Sequence, residues 1–307
     1  MAARKKLLIA ADVDRALVAR ALGDDRFEVM DQPVRTEEEL IGIVGTCEIL
    51  VTRSYNHVTR RVIEAARHLE LIAQGTSGTD NIDADAARDR GIAIISLPGE
   101  NANAVAEMVI GHMLALTRTI PWYHRDMTAG RWTRDDSATR HELRHYRLGI
   151  VGLGEVGRRV ARLACTFGMT INAFDPYLSD SDFATRSATR ATSMAGLLEA
   201  ADILTLHVPL TEETRGMIGA QQIASLTKGS FLINAARGEI LDTDAALEAL
   251  SRGHLAGLAL DVFDPEPPSR VWPDDPRLIL TPHIGGGTHE ARASIGTRLW
   301  EKISARY

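Results

Sequence analysis

This chain of 307 residues is poor in several features that mark other classes of protein. Its two cysteines, Cys47 and Cys165, lie far apart without metal-ligand spacing, which argues against a disulfide framework or a zinc site and fits a reducing cytoplasm. No apolar run approaches the ~18 residues of a membrane span, and the run Leu7–Ala11 is too short for a signal peptide. The net charge of −6 leaves no electrostatic footprint for nucleic acid. We therefore expect a cytoplasmic protein that binds neither membrane nor nucleic acid and holds no metal.

The rest of the composition indicates a globular protein of two domains. Hydrophobic residues make up 45% and charged residues 25% of the chain, both ordinary values, and its length exceeds what one core usually fills. Strand-like runs alternate with helical patterns through the first hundred residues, and a second such series runs from Leu148 to about Pro282. This alternation predicts parallel sheets with helices on both faces. The candidate strands of the first series are Leu7–Ala11, Phe27–Met30, Glu48–Thr52, Leu69–Ala73 and Ile92–Ile95.

Three segments lie outside these two alternating series. A long helical pattern runs from Asn101 to about Met127, and a polar arm, Arg131–His145, leads into the second series. A last helical pattern, Thr288–Tyr307, follows the three glycines at 285–287. Three glycines at a domain crossing would suit closure around a ligand, but they suit an ordinary loop equally well.

The most informative stretch reads LGIVGLGEVG at residues 148–157. Gly152 allows a sharp turn after a buried strand, Gly154 lets the backbone approach a pyrophosphate, and Gly157 lets helix and strand pack closely. The pyrophosphate would then lie at the helix N-terminus. Asp175 follows a second apolar run and would bind the adenosine ribose. Because a carboxylate there repels the 2′-phosphate of NADP, the pattern favours NAD, unless Asp175 merely starts a turn before Pro176.

Three later strand-like runs each end near a charged or titratable residue. These residues are Arg237, Glu266 and His283, and the carboxyl ends of parallel strands are where ligands of open α/β sheets bind. An arginine can hold a carboxylate bidentately, and a histidine oriented by a carboxylate can exchange a proton with a carbonyl or hydroxyl oxygen. Each residue alone could be an ordinary surface group. Together with a dinucleotide turn, they predict hydride chemistry on a 2-oxo acid.

The motifs together resemble those of the D-isomer-specific 2-hydroxyacid dehydrogenases, near the phosphoglycerate dehydrogenase branch. The resemblance covers nearly the whole chain. It rests on GLGEVG at 152–157, HVPLT at 207–211, NAARG at 234–238, DVF at 261–263 with EP at 266–267, TPH at 281–283, GTDNID at 78–83 and NAVAE at 103–107.

The resemblance implies an α/β fold of two doubly wound domains. A Rossmann NAD-binding domain, residues 100–285, would be inserted into a flavodoxin-like substrate-binding domain made of residues 1–99 and 286–307. Family members commonly form homodimers through the cofactor domain, by way of the long helix and arm. The regulatory C-terminal domains of longer phosphoglycerate dehydrogenases are not expected here, nor is a serine feedback site.

The resemblance also implies roles for individual residues. Arg237 would bind the substrate carboxylate and carbonyl, His283 would be the acid/base, and Glu266 its partner. The cofactor would be contacted by Gly152, Gly154, Glu155, Val156, Gly157, Asp175, His207, Val208, Pro209, Ala235, Ala236, Asp261, Gly285 and Gly286. The substrate would be contacted by Arg53, Ser54, Ser77, Gly78 and Arg134.

Some positions depart from the family pattern or leave alternatives open. Glu155 stands where many relatives have Arg, and a carboxylate there could weaken cofactor binding. The turn GTSG at 75–78 also differs from the commoner glycine pattern. Arg53 and Arg134 are placed like arginines that bind a phosphate in phosphoglycerate dehydrogenases, but both could be surface arginines.

The substrate would therefore be a small anionic 2-hydroxy or 2-oxo acid, with 3-phosphoglycerate as the first candidate. Hydroxypyruvate, glyoxylate or another short 2-oxo acid is the alternative. A different class of function is a non-catalytic NAD(H)-sensing protein, against which the retained Arg237, Glu266 and His283 argue. An NAD-dependent enzyme acting on a non-carboxylate substrate is a third reading, and Arg237 argues against that one too.

Overall fold

The protein is described here by a computed structural model that covers residues 4–134 and 140–307. It divides into two compact units. The first unit consists of Met1–Asn101 and Gly287–Tyr307, and the second of Ala102–Gly286. Which unit binds substrate and which binds cofactor stays a prediction at this point. Residues 135–139 of the expected polar arm lie outside the described residues.

The strands of the first unit are β1 Lys5–Ile9, β2 Phe27–Asp31, β3 Ile49–Thr52, β4 Leu71–Gln74 and β5 Ala93–Ile95. The strands of the second unit are β6 Arg147–Val151, β7 Thr170–Phe174, β8 Thr189–Arg190, β9 Ile203–Leu206, β10 Ser230–Asn234, β11 Leu255–Leu260 and β12 Leu278–Leu280.

The α-helices, in chain order, are α1 Arg15–Leu22, α2 Glu37–Val44, α3 Arg60–Ala65, α4 Ala84–Asp89, α5 Ala102–Thr117, α6 Ile120–Thr128, α7 Glu155–Thr166, α8 Asp180–Thr185, α9 Met194–Ala200, α10 Ala220–Ala224, α11 Thr243–Ser251 and α12 His289–Ser304.

The first unit has a parallel sheet in the order β2-β1-β3-β4-β5. This is the flavodoxin-like order, in which the chain switches direction across the sheet between β1 and β3. Helix α12 closes one face, where its buried residues Leu299 and Ile303 join a cluster with Leu17 and Val18 of α1. The flavodoxin-like fold predicted for this part of the chain is confirmed.

The second unit has a seven-stranded parallel sheet in the order β12-β11-β10-β9-β6-β7-β8. Its order reverses between β6 and β9, so the carboxyl ends of these two strands frame the crevice where a doubly wound sheet binds a dinucleotide. Helix α5 packs against α7 and against β10 and β11. The predicted Rossmann fold is confirmed.

One predicted element is wrong. The single helical pattern from Asn101 to about Met127 forms two helices, α5 and α6, separated at Thr119, whose φ is 56°. Pro121 explains the break, because a proline has no N–H to donate and its ring clashes with the carbonyl four residues earlier. That carbonyl belongs to Thr117, the last residue of α5. The other predicted elements differ from the observed ones at their ends.

Helix α12 shows why the ends shift. The sequence pattern begins at Thr288, but Thr288 is the N-cap, and its hydroxyl accepts the N–H of Ala291 at 3.2 Å. A capping residue has extended backbone angles and so precedes the first helical residue. Within residues 4–134 and 140–307, no helix has both the length and the apolar character needed to cross a membrane.

Candidate active site

The glycine turn after β6 is shaped by backbone approaches that exclude side chains. Gly152 has a φ of 86°, and a Cβ there would lie 2.7 Å from the carbonyl oxygen of His207. A Cβ on Gly157 would lie 2.1 Å from the carbonyl oxygen of Gly152. The protein's own atoms therefore require both glycines, as the motif predicts.

Gly154 is different, because a Cβ there would meet nothing within 4 Å. It is the N-cap of α7, and no side chain caps the first N–H groups of that helix. Uncapped N–H groups at the positive end of a helix are suited to a pyrophosphate. The open space at Gly154 leaves room for the pyrophosphate of a dinucleotide to approach the backbone. The residues present therefore fit a dinucleotide.

Asp175 directs its carboxylate toward this turn. It follows β7, and its Oδ2 accepts the N–H of Leu153 at 3.0 Å while its Oδ1 accepts the N–H of Tyr177 at 3.1 Å. A carboxylate oxygen can accept more than one hydrogen bond. The geometry therefore orients Asp175 for the ribose hydroxyls, although its role there stays a prediction.

The unexpected Glu155 is the first residue of α7, and its charge is locally balanced. Its carboxylate lies 2.6 Å from the guanidinium nitrogens of both Arg158 and Arg159. These hydrogen bonds outweigh partial burial and lower the pKa of Glu155. The expected repulsion of a pyrophosphate is thus reduced by two cations one helical turn away.

The segment after β9 forms the other wall of the glycine turn. The N–H of His207 donates to the carbonyl of Val151 at 2.7 Å, and its Nε2 lies 2.9 Å from the Thr205 hydroxyl. Removal from water lowers the pKa of His207 to about 3, so its ring is neutral at ordinary pH. Val208 packs beside Gly152, and Pro209 follows it.

Arg237 is positioned by an asparagine that sequence reasoning gave no role. Asn234 ends β10, its amide nitrogen donates to the carbonyl of Arg237 at 2.8 Å, and its Oδ1 accepts the N–H of Ala236 at 3.1 Å. Asn234 is 1% exposed. The turn of Ala235 and Ala236 is therefore held from inside the sheet. An asparagine two residues before its backbone partner is a recognised turn signal, so this role was open to prediction.

Asp261 ties the end of β11 to the segment that follows β12. Its Oδ1 accepts the Thr281 hydroxyl at 2.6 Å and the N–H of Ile284 at 2.9 Å, and its Oδ2 accepts the N–H of Gly285 at 2.9 Å. A Cβ on Gly285 would lie 2.8 Å from the methyl carbon of Met108, so a larger residue there would require the flexible Met108 side chain to move. Asp261 thus has a structural task beside its predicted contact with nicotinamide; Gly286 comes next and ends the unit.

His283 and Glu266 form a direct pair. The Nδ1 of His283 lies 2.7 Å from Oε2 of Glu266, whose Oε1 accepts the N–H of Phe263 at 2.9 Å. Burial acts to raise the pKa of Glu266, but the bonds from His283 and Phe263 and the charge of Arg237 lower it overall. An ionised carboxylate can only accept, so Nδ1 carries the proton and Nε2 is left for exchange.

Both side chains remain accessible. His283 is 35% and Glu266 is 37% exposed, so a small molecule can reach the imidazole.

Gly238 brings the Arg237 turn and the Glu266 segment together. A Cβ on Gly238 would lie 2.1 Å from the carbonyl carbon of Phe263 and 2.2 Å from its oxygen. The two backbones are therefore in contact. The structure thus brings Arg237, Glu266 and His283 to one place at the carboxyl edge of the second sheet, as predicted from their positions after strands.

The expected substrate residues belong to both units. In the first unit, Arg53 and Ser54 follow β3, while Ser77 and Gly78 follow β4. The Ser77 hydroxyl lies 2.9 Å from Oδ1 of Asn101 and 3.2 Å from the carbonyl of Leu97. Arg134 is in the second unit and lines a cavity of about 540 Å³ with other arginines and with two aromatic rings.

Comparison with known proteins identifies the family. Residues 110–285 match the family model "D-isomer specific 2-hydroxyacid dehydrogenase, NAD binding domain". The chain belongs to this family, as its motifs predicted. The match also confirms NAD as the cofactor that the glycine turn predicted.

Individual relatives cover the chain to different extents. It is 37% identical over 301 residues to the D-3-phosphoglycerate dehydrogenase of Methanocaldococcus jannaschii, an alignment that includes 94% of this chain but 56% of that protein. The chain thus spans about half the length of such relatives. It is 34% identical over 305 residues to the hydroxypyruvate reductase of Thermotoga maritima, with 98% of each chain aligned. The crystal structure of D-lactate dehydrogenase from Aquifex aeolicus, complexed with NAD and lactic acid, superposes with a TM-score of 0.86 at 26% identity, covering 98% of this chain and 95% of that one.

The contact at Gly238 generates a first prediction. Replacement by alanine (Gly238→Ala) forces the Arg237 turn away from Phe263, because no Cβ fits at 2.1 Å. A displacement of about 1 Å at a reacting group can cost roughly 10²-fold in rate, so kcat/KM for the 2-oxo acid reduction proposed below should fall by about that factor. Steady-state NADH oxidation measures it.

The matched control is Gly111→Ala, in α5 of the same unit, where a Cβ meets nothing within 4 Å. That variant should keep its activity, since alanine is the better helix former. A Gly238→Ala enzyme that folds and has the wild-type kcat/KM would show that the backbone contact does not position the site.

Proposed function

We propose that the protein is an NAD-dependent dehydrogenase that interconverts a D-2-hydroxy acid and its 2-oxo acid. The observation that carries the proposal is the His283–Glu266 pair, 2.7 Å apart, beside Arg237 in the unit that holds the glycine turn. A proton-exchanging group, an anion-binding group and a dinucleotide turn are the set that this reaction needs.

The cofactor would be held by the turn and by Asp175. The uncapped N–H groups of α7 would bind the pyrophosphate and Asp175 the adenosine ribose. NAD held there would supply the hydride acceptor for C2 of the hydroxy acid, and NADH would supply the hydride donor for the oxo acid.

His283 would manage the proton that accompanies the hydride. Its Nε2 would donate a proton to the carbonyl oxygen during reduction and remove it from the hydroxyl during oxidation. Glu266 orients the ring through Nδ1 and stabilises the imidazolium form, because its own carboxylate stays ionised.

Arg237 would bind the carboxylate of the substrate. Its backbone is held by Asn234, so the guanidinium starts from a fixed position. Ser77 and Gly78 lie in the turn after β4 of the first unit. Among the residues that the structure describes, neither backbone N–H of this pair finds a hydrogen-bond acceptor. These donors support the proposal that this turn also binds the carboxylate, since an anion suits neighbouring backbone N–H groups.

We propose 3-phosphoglycerate and its 2-oxo form as the first substrate pair, with hydroxypyruvate and glyoxylate as alternatives. The relatives named above include a phosphoglycerate dehydrogenase and a hydroxypyruvate reductase, which supports both choices. Arg53, at the carboxyl end of β3, supports the phosphorylated acid.

We also infer that the protein works as a homodimer in a reducing compartment such as the cytoplasm. The thiols of Cys47 and Cys165 are both free. On the second unit, Trp132 is 78%, Ile120 54% and Met127 53% exposed. Large apolar side chains grouped on and after one helix favour contact with another chain.

The catalytic proposal is tested by His283→Ala in NADH oxidation. The acids are hydroxypyruvate, glyoxylate, pyruvate, 2-oxoglutarate and phosphohydroxypyruvate. We expect wild-type turnover of at least one, and a loss of about 10²–10⁴-fold in the variant, which is the usual contribution of an acid/base group. NADH binding, followed by fluorescence, should be nearly unchanged.

Unchanged turnover in His283→Ala would remove His283 from the mechanism. Silence of the wild-type protein on every acid, with NADH still bound, would instead favour the NAD(H)-sensing class of function.

The cofactor proposal is tested at Asp175. Asp175→Ala removes the charge that would repel a 2′-phosphate, so the ratio of kcat/KM for NAD over NADP should fall by about tenfold, equivalent to ~1.4 kcal/mol. Asp175→Asn is the matched variant, because it loses the charge but keeps an acceptor for the N–H of Leu153. A ratio that moves in neither variant would show that Asp175 does not select the cofactor.

The dimer proposal is tested by sedimentation. We expect a wild-type mass twice the chain mass of 33.5 kDa and a weaker dimer in Trp132→Ser. Leu22→Ser is the control, since Leu22 is an apolar side chain 64% exposed on α1 of the first unit. A wild-type monomer, or equal weakening in both variants, would contradict a dimer through this surface.

A further inference from the structure

The first unit has a small cleft at the carboxyl edge of its sheet. Asp12 follows β1, Arg53 follows β3 and Gly75 follows β4, and all three line the cleft together with Arg292 of α12. The edge between β1 and β3 is where the strand order of this sheet reverses. Ligands of open α/β sheets bind at that crevice, so the cleft lies where the topology places a ligand.

Arg292 is held at this edge by the packing of its helix. Its backbone N–H donates to the carbonyl of Thr288 at 3.1 Å. One and two turns further along the same face of α12, Gly296 and Leu299 lie where the helix packs against α1. Gly296 allows the close approach, because a Cβ there would lie 2.7 Å from Cβ of Asp14. The helix therefore presents Arg292 beside Arg53 through fixed backbone.

The two acidic residues that line the cleft, Asp12 and Asp14, already have partners elsewhere. The carboxylate of Asp12 pairs with Arg35, and that of Asp14 accepts the N–H of Ala16 at 2.9 Å. The guanidinium of Arg53 donates to the backbone carbonyl of Asp12 at 3.2 Å. Within the described parts of the chain, no carboxylate forms an ion pair with Arg53 or Arg292.

The positive charges of Arg53 and Arg292 repel each other. Burial and the neighbouring charges of Arg292 and Arg35 lower the pKa of Arg53. Two like charges held close together at a ligand crevice are relieved by an anion, which guanidinium groups bind through paired N–H donors. The enclosed space is about 10 Å³, room for about one water, so the anion would lie at the mouth of the cleft.

We propose that Arg292 acts with Arg53 as a specificity-determining residue that binds a second anionic group on the substrate tail. This inference rests on the proposed dehydrogenase function and narrows its substrates. The enzyme would then prefer 2-hydroxy acids that carry a phosphate or a second carboxylate over acids with a neutral tail.

The test compares Arg292→Gln with wild type on phosphohydroxypyruvate and on hydroxypyruvate. We expect KM for the phosphorylated acid to rise by about 10- to 100-fold with kcat nearly unchanged, and both constants for hydroxypyruvate to stay the same. Arg292→Lys should recover part of the loss. Arg298→Gln, on the same helix and paired with Glu100, is the control and should change neither substrate.

A second readout does not depend on turnover. Inorganic phosphate should raise the thermal unfolding midpoint of wild type more than that of Arg292→Gln, with sodium chloride at equal ionic strength as the reference. If wild type reduces no acid but phosphate still stabilises it through Arg292, the dehydrogenase proposal fails and the anion site stands.

Other outcomes overturn the inference and leave the dehydrogenase intact. A wild-type enzyme with equal kcat/KM for both acids has no tail selectivity to explain. Equal rises in KM for both acids in Arg292→Gln would indicate a structural role, and no change at all would make Arg292 an ordinary surface arginine.

Discussion

The arrangement of the second unit's site depends on one buried carboxylate, that of Asp261. It is 2% exposed, and burying a polar group is unfavourable unless hydrogen bonds replace the water. The donors that replace the water come from residues 281–285, so these hydrogen bonds fix that segment in one geometry. His283 lies inside the segment with a φ of 51°, a conformation that costs a non-glycine residue about 1–3 kcal/mol. Its N–H bond to the carbonyl of Asp261, at 2.8 Å, helps to hold it there.

From this anchor the rest of the candidate site is reached through short links. His283 pairs with Glu266, and the Glu266 segment touches the Arg237 turn at Gly238. The contact at Gly238 joins two backbones, and Glu266 is fixed to the backbone through the N–H of Phe263, so the side chains have little freedom to separate. Such a rigid frame suits a reaction in which the reacting groups must be held within fractions of an ångström.

The sequence predicted the alternation of elements, both doubly wound sheets and the grouping of Arg237, Glu266 and His283. These depend on local patterns and on one general rule, that parallel strands present their carboxyl ends at one edge. The break at Thr119 was also readable, because Pro121 marks it. What the pattern could not supply was contact between distant segments. Arg292 stands far along the chain from Arg53, and no local signal relates them.

The same limit applies to charge balance. Glu155 read alone suggests repulsion of the cofactor, whereas the helix places Arg158 and Arg159 on its carboxylate. Their spacing of three and four residues is that of helical neighbours, so this compensation could have been inferred. The structural role of Asp261 could not have been inferred from the sequence. It depends on residues 281–285 packing against the end of β11, which no local pattern indicates.

The discontinuity of the first unit has a consequence for how the chain is made. Its core includes Leu299 and Ile303 of α12, which follow the whole of the second unit in the chain. A ribosome adding 5–20 residues per second needs on the order of 10–40 s to make Ala102–Gly286. During that interval the apolar face of α1 around Leu17 lacks its cover. The second unit is one continuous segment and can complete its core first. The first unit completes its core only after α12 has been made.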